Sequence, residues 1–299
     1  MSTKRTHLTY VGIALFVTVL WSSSWVLIRW GLDRESLRPL TFAALRYGLA
    51  SIVMVGSVLS NRTYRRQVFT MSRAVVVRIV LLGIVFYTLT QGAIFVALDN
   101  QPAATTSLLL AMTPLAVAML ANRSLRETTE DRQVTGAVLV AVGAFLYFVG
   151  GLGATLIGIV AALVALASNV TGSLLGRQVN RSRDTSPVVV TAISMTVGSV
   201  ALAIIGGISE GVPSVSIGAW GIIAWLAVVN TAFAFTLWNL SLRRLTALES
   251  AGINNTMLVQ IALLAWVFLG ESPGVLGLVG IALVSIGVLL TQAPRSNGV

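Results

Sequence analysis

ALDNQPAATTSLLLAMTPLAVAMLANRSLRETTEDRQVTGAVLVAVGAFL, residues 97–146, is a stretch that the chain writes twice. Slid by 144 places, it lies without a gap over SLRRLTALESAGINNTMLVQIALLAWVFLGESPGVLGLVGIALVSIGVLL, residues 241–290. Leu98 meets Leu242, Ala103 meets Ala247, Leu120 and Ala121 meet Leu264 and Ala265, and Leu125 meets Leu269. Glu127 meets Glu271, Gly136 meets Gly280, and Gly143 meets Gly287. Leucine and alanine agree by chance in apolar sequence, but glutamates and paired glycines in register do not. A period of about half the chain predicts two related halves, 1–150 and 151–299.

The class follows from composition. The chain has 299 residues, of which 56% are hydrophobic and only 10% charged, against roughly 25% charged in soluble domains. Gln133 to Gly176 carries no charge at all, enough for two bilayer crossings at about 20 residues each. Runs of this length predict helices rather than the alternating strands of about 10 residues found in barrels. There is no cysteine, which excludes disulfides, thiolate metal sites and a cysteine nucleophile. The net charge of +10 sits in short loops, so membrane orientation accounts for it better than nucleic acid does. Lys4 and Arg5 precede a run from Leu8 to Ile28 that is too long for a signal-peptide core and reads as a first span.

The pattern predicts an all-α integral membrane protein of ten transmembrane helices. They run over Thr9–Gly31, Pro39–Leu59, Val75–Leu98, Gln101–Asn122, Gln133–Gly150, Thr155–Arg177, Pro187–Ile208, Ser216–Leu240, Glu249–Leu269 and Pro273–Thr291, joined by short polar loops. Gly150-Gly151-Leu152-Gly153 is a turn between two spans, not a phosphate loop. Lys4, Arg5, then Arg62, Arg65, Arg66, Arg73 and Arg78, then Arg123, Arg126 and Arg132, then Arg177, Arg181 and Arg183, then Arg243 and Arg244, and Arg295 all fall on one side. The alternate loops carry Arg34 and Arg38 offset by Asp33 and Glu35, then Asp99, Glu210 and Glu271. Both termini are therefore expected in the cytoplasm of a bacterial inner membrane. Five helices per half is an odd number, so the second half enters from the opposite side. Two inverted five-helix repeats are an architecture of secondary transporters, with a site near the midplane.

Leu20-Trp21-Ser22-Ser23-Ser24 followed by Arg29, then Pro39 and Leu45-Arg46, resembles the opening of the EamA-type drug/metabolite transporters. So do Pro114, thirteen places before Glu127, and Leu269-Gly270-Glu271 in the second copy. The resemblance covers essentially the whole chain and is nearest to the YddG-type exporters of aromatic amino acids. Two positions depart from it: Leu258 stands opposite Pro114, and Arg126 occupies the place of the glycine before Glu127. The resemblance implies export of amino acids, preferentially aromatic ones, by alternating access. A multidrug or nucleotide-sugar carrier of the same fold is the alternative.

Polar residues within the spans supply the candidate site. A charge in hydrocarbon costs at least about 2.5–3.5 kcal/mol on insertion scales. Arg46 is either a carboxylate clamp or a structural arginine that snorkels or bonds backbone carbonyls and a neighbouring helix. The resemblance, which places an arginine here across many substrates, favours the structural role. Arg29 and Arg78, near helix ends, read as snorkelling anchors. Trp21 and Trp25 share a face of the first span, and Tyr87 and Gln91 share one of the third. Ser168 and Asn169, Asn230 and Trp238, and Asn254 and Asn255 complete the set. Each is either interhelical glue, usually under about 2 kcal/mol, or cavity lining; as a set they favour a cavity. Amides bind ammonium or carboxylate groups, and the rings stack on an aromatic side chain.

Pro114 sits within the fourth span and predicts a kink, either an alternating-access hinge or a static bend, with Thr113 placed to satisfy a freed carbonyl. Gly136 and Gly143, with Gly280 and Gly287, predict close helix packing in the fifth and tenth spans, as scaffold or as a homodimer face. There is no carboxylate near the midplane, His7 lies outside it, and no Walker A pattern occurs. An intramembrane enzyme therefore lacks its chemistry. The expected partners are a small aromatic amino acid and the lipid bilayer, with no nucleic acid and no cofactor.

Overall fold

In hydrocarbon every backbone polar group must be satisfied within the chain, and a long apolar run achieves this only as a helix. The computed structural model describes residues 2–113, 116, 131–149, 153–181, 185–212, 214–241, 245 and 247–292. Its regular elements are α1 (Ser2–Asp33), α2 (Pro39–Ser60), α3 (Arg62–Thr70), α4 (Arg73–Leu82), a π-helical segment Gly83–Gln91, α5 (Gly92–Asn100) and α6 (Ala103–Leu110). They continue with α7 (Asp131–Val149), α8 (Leu156–Arg181), α9 (Pro187–Ser209), α10 (Ile217–Ala227), a second π-helical segment Val228–Phe233, α11 (Ala234–Ser241), α12 (Ala247–Leu269) and α13 (Val275–Gln292). The described residues contain no strand. Five helical stretches among them are long and apolar enough to cross a bilayer: His7–Asp33, Pro39–Ser60, Arg73–Asn100, Leu156–Gly176 and Pro187–Ser209. Shorter apolar helices cover Val138–Tyr147, Ile217–Phe233, Thr256–Leu269 and Val275–Leu290. Large apolar side chains such as Phe145, Leu156, Ile204 and Val267 point outward, the arrangement that suits a lipid solvent.

Helix starts follow local chemistry. Pro39 and Pro187 occupy first-turn positions, where the missing N–H costs nothing. Ser72 and Ser216, which are 144 places apart, cap α4 and α10 in the same way, accepting from the N–H groups of Val75 and Ala219. Two features depart from the sequence expectation. The polar loop after the second span folds as the helix α3, capped by Asn61. The third and eighth spans are not uniform α-helices but pass through π-helical turns at matching places: residues 228–233 fall on 84–89 under the 144-place shift.

The chain forms two units, each drawing on both sequence halves. Unit 1 comprises Met1–Val26, Asn100–Ile159 and Phe233–Val299. Its core holds Leu108, Val140, Tyr147, Leu258, Ala262, Ile281, Val284 and Val288. Here α7 and α13 pack backbone to backbone. A Cβ on Gly143 would lie 2.7 Å from the Gly280 carbonyl, and one on Gly287 would lie 2.6 Å from that of Gly136. The two helices therefore run antiparallel, and the contacts are reciprocal, as a local two-fold requires. Of the two roles expected for these glycines, scaffold and homodimer face, the α7–α13 contact uses them as scaffold within the chain. The Glu271 carboxylate accepts from the N–H groups of Ala103 (3.1 Å) and Ala104 (3.4 Å), capping α6. α6 ends at Leu110, whose carbonyl would ordinarily accept from residue 114. Proline there has no N–H, and the Thr113 hydroxyl donates to that carbonyl instead, at 2.7 Å. Pro114, Glu127 and the arginines at 123 and 126 lie outside the described residues.

Unit 2 comprises Leu27–Asp99 and Val160–Ala232. α2 and α9 pack antiparallel: Val58 clusters with Val189 and Ala192, while Gly206 meets Thr41 at the other end. Gly83 and Gly198 let the π-helical segment sit on α9, each with a Cβ position under 3.0 Å from backbone oxygen. Glu210 caps α2, accepting from the N–H groups of Leu40 (3.0 Å) and Thr41 (2.8 Å) and from the Thr41 hydroxyl (2.7 Å). Arg29, expected as a snorkelling anchor, has specific partners near its helix end. It pairs with Asp33 at 3.1 Å and donates to the carbonyls of Leu98 and Asp99, the latter at 3.2 Å. A cation on C-terminal helix carbonyls is favourable by geometry and by dipole.

Candidate functional site

The expected site residues divide between the two units. In unit 2, Arg46 and Tyr47 are neighbours on α2, and Tyr87 and Gln91 lie on the first π-helical segment. The Tyr47 hydroxyl donates to Gln91 Oε1 at 2.6 Å. The Tyr47 and Tyr87 rings meet edge to face with centroids 5.6 Å apart. Phe86 packs edge-on against Tyr87 at 5.3 Å, and Phe95 lies 6.5 Å from Tyr47. The Arg46 guanidinium stands 5.0 Å from the centroid of the Tyr47 ring. The result is an aromatic cluster with a cation and an amide both set against Tyr47. Edge-to-face geometry is the arrangement that aromatic quadrupoles prefer, and Tyr47, Tyr87 and Phe95 are buried.

Both π-helical turns are backed by threonine. Thr90 donates to the Val85 carbonyl (3.0 Å) and Thr231 to the Leu226 carbonyl (2.8 Å), each five residues back. Thr88 reaches across to the Gly198 carbonyl at 3.1 Å. These hydroxyls hold the wider turns in place, and π turns inside α-helices are frequent at functional sites. Asn230 lies on the second such turn and is fully buried. Ser168 is buried but spends its hydroxyl on its own helix, donating to the Val164 carbonyl at 2.6 Å. Asn169, beside it, is half-buried.

In unit 1 the Trp21 ring packs against Phe235 (5.2 Å) and Trp238 (5.1 Å), both tilted. Trp25, on the same helix as Trp21, is half-buried. Ser22 donates to Gln260 Oε1 at 3.0 Å, and Gln260 Nε2 donates to Thr18 (3.1 Å) and Thr256 (2.9 Å). This network ties α1 to α12. Asn254 is exposed, and the Asn255 side chain is outside the described set.

Sequence reasoning therefore brought together Arg46, Tyr87 and Gln91 in one unit, and Trp21 and Trp238 in the other. It missed Tyr47, Phe235 and Gln260. Tyr47 was legible as the next residue after a buried cation, and Gln260 as the one amide in an otherwise apolar run from Met257 to Leu269.

Comparison with known proteins gives the class. The family described as EamA-like transporter matches the chain twice, over residues 8–149 and 156–292. An uncharacterized transporter of Bacillus subtilis (strain 168) is 26% identical over 270 residues, covering 87% of each chain. A probable terminal-alkyne amino-acid exporter of Streptantibioticus cattleyicolor is 27% identical over 287 residues, covering 93% of this chain and 91% of that one. An S-adenosylmethionine/S-adenosylhomocysteine transporter of Chlamydia muridarum is 25% identical, covering 87% and 85%. A protein of known crystal structure superposes with a TM-score of 0.65 at 18% identity, covering 95% of this chain and 97% of that one, and shares the fold. With the helices and the apolar exterior described above, the chain belongs to the EamA-like transporter family and is a multi-pass membrane transporter.

Proposed function

We propose that the protein exports amino acids, preferentially aromatic ones, across the bacterial inner membrane by alternating access. The observation that carries this is the cluster of Tyr47, Tyr87, Phe86 and Phe95 with Arg46 and Gln91 set against Tyr47. It offers aromatic packing, a cation and an amide, which are the complements of an aromatic ring, a carboxylate and polar head atoms. Trp21, Trp25, Ser168, Asn169, Asn230, Trp238, Asn254 and Asn255 are the further binding candidates, and Pro114 the hinge. The relative named as an amino-acid exporter supports the substrate class.

In this reading ten spans form two inverted five-helix halves, 1–150 and 151–299, with both termini cytoplasmic. The reciprocal glycine contacts of α7 and α13, the paired serine caps and the matching π-helical turns support the inversion. A second reading has one observation in its favour. The chlamydial relative is named for S-adenosylmethionine, which also joins an α-amino-acid head to an aromatic base, so larger amino-acid-headed metabolites fit the same chemistry. A multidrug or nucleotide-sugar carrier is the alternative that remains.

Expression in cells lacking their own aromatic exporters tests the proposal. Cells making the protein should tolerate a toxic phenylalanine analogue at several-fold higher concentration and accumulate less of it. Unchanged tolerance and accumulation, with the protein present in the membrane, would overturn it.

A further inference from the structure

We propose that Arg46 is the anchor for a carboxylate on the transported solute, so that a free carboxylate, and not aromatic bulk alone, is what the transporter selects. The inference deepens the amino-acid reading above and takes its probes from it. A guanidinium in a low-dielectric interior must reach water, bond protein acceptors or meet an anion. Arg46 has little access to water, the whole residue being only 7% exposed. Nor does it bond protein: its Nε is sealed and has no hydrogen-bond partner, and it forms no ion pair or hydrogen bond with any described residue. Among the described residues, Arg46 thus lacks the carbonyl or helix partner that a bonded structural arginine would have.

Two other arginines of the unit make a contrast. Arg29 bonds two carbonyls and Asp33, and Arg38 donates to the Glu210 carbonyl. The fold therefore satisfies guanidinium groups at these positions and leaves Arg46 with only the Tyr47 ring, 5.0 Å away. A cation–π contact attracts the charge but fills none of its donors. Guanidinium is a fork of donors that matches a carboxylate bidentately. The Tyr47 ring beside it meets the Tyr87 ring and bonds Gln91, whose Oε1 is taken by Tyr47 while its amide nitrogen has no described partner. One such cation among neutral aromatics suits a single carboxylate attached to an aromatic body. A phosphate would call for several cations.

The test uses purified full-length protein and two matched acid–amide pairs: phenylalanine with phenylalaninamide, and 3-phenylpropionate with 3-phenylpropionamide. Affinities are measured for wild type, Arg46→Met and Arg46→Lys, each checked for folding by size-exclusion profile. Wild type should prefer each acid it binds over its amide by about tenfold or more. Arg46→Met should bring that ratio to about one while leaving amide affinity in place, and Arg46→Lys should retain part of the preference. If Arg46→Met does not fold, the wild-type ratio and Arg46→Lys carry the test. A wild-type ratio near one, or a ratio unchanged in a folded Arg46 variant, overturns the anchor. Phenylalanine binding with a ratio indifferent to Arg46 leaves the amino-acid reading standing and removes the anchor. Arg46-dependent binding of phenylpropionate without phenylalanine does the reverse. Binding of none of the four probes counts against both.

Discussion

At the scale of single residues, the strongest constraints fall where backbone meets backbone. A Cβ on Gly280 would lie 2.5 Å from the Gly143 carbonyl, an oxygen that cannot rotate away. Gly280→Ala must therefore push α7 and α13 apart, at a cost of about 1–3 kcal/mol typical of overpacking. A lower midpoint of thermal unfolding in detergent is the expected reading. Gly221→Ala is the matched control. Its Cβ meets nothing within 4 Å, and alanine outranks glycine in a helix by up to about 1 kcal/mol, so its midpoint should stay or rise. Gln260→Leu should cost about 1–2 kcal/mol by the same assay, since three hydrogen bonds disappear. The loss is limited because the Thr18 hydroxyl already donates to the Leu15 carbonyl at 2.7 Å.

The elements themselves depend on their ends. Glu210 meets three donors at the start of α2, and Glu271 meets two at the start of α6. Glu210→Ala should lower stability by about 1–2 kcal/mol, and Glu271→Ala by a similar or smaller amount, measured as unfolding midpoints. The starts of α2, α9 and α10 were legible because their signals are local: Pro39, Pro187 and Ser216 act within one turn of where they stand. The π-helical turns were not legible. They depend on hydrogen bonds that close five residues back inside uniformly apolar sequence, and threonine at 90 and 231 marks them only once the structure is known. α3 was read as loop because its arginines dominated the pattern over Tyr64 and Val68, the residues that pack on the α2–α9 cluster. In the candidate site, helical spacing pointed to Tyr87 and Gln91, and charge to Arg46. Gln260 was passed over because its partners on α1 lie 238 and 242 residues away, a separation that no local pattern encodes.

For the whole molecule, the repeat and the arginine bias make one connected claim about topology. The protein has no cysteine, so single cysteines report sidedness without background. Thr63→Cys, on α3, should react with an impermeant thiol reagent only from the cytoplasmic side. Ser214→Cys, between α9 and α10, should react only from outside. Labelling of both from the same side would refute the inverted arrangement. The central claim is functional, and flux tests it most directly. Proteoliposomes loaded with labelled phenylalanine should release it faster than protein-free vesicles, with release slowed by excess unlabelled tryptophan on the loaded side. Release no faster than from empty vesicles, by protein that moves another solute in the same preparation, would contradict the account.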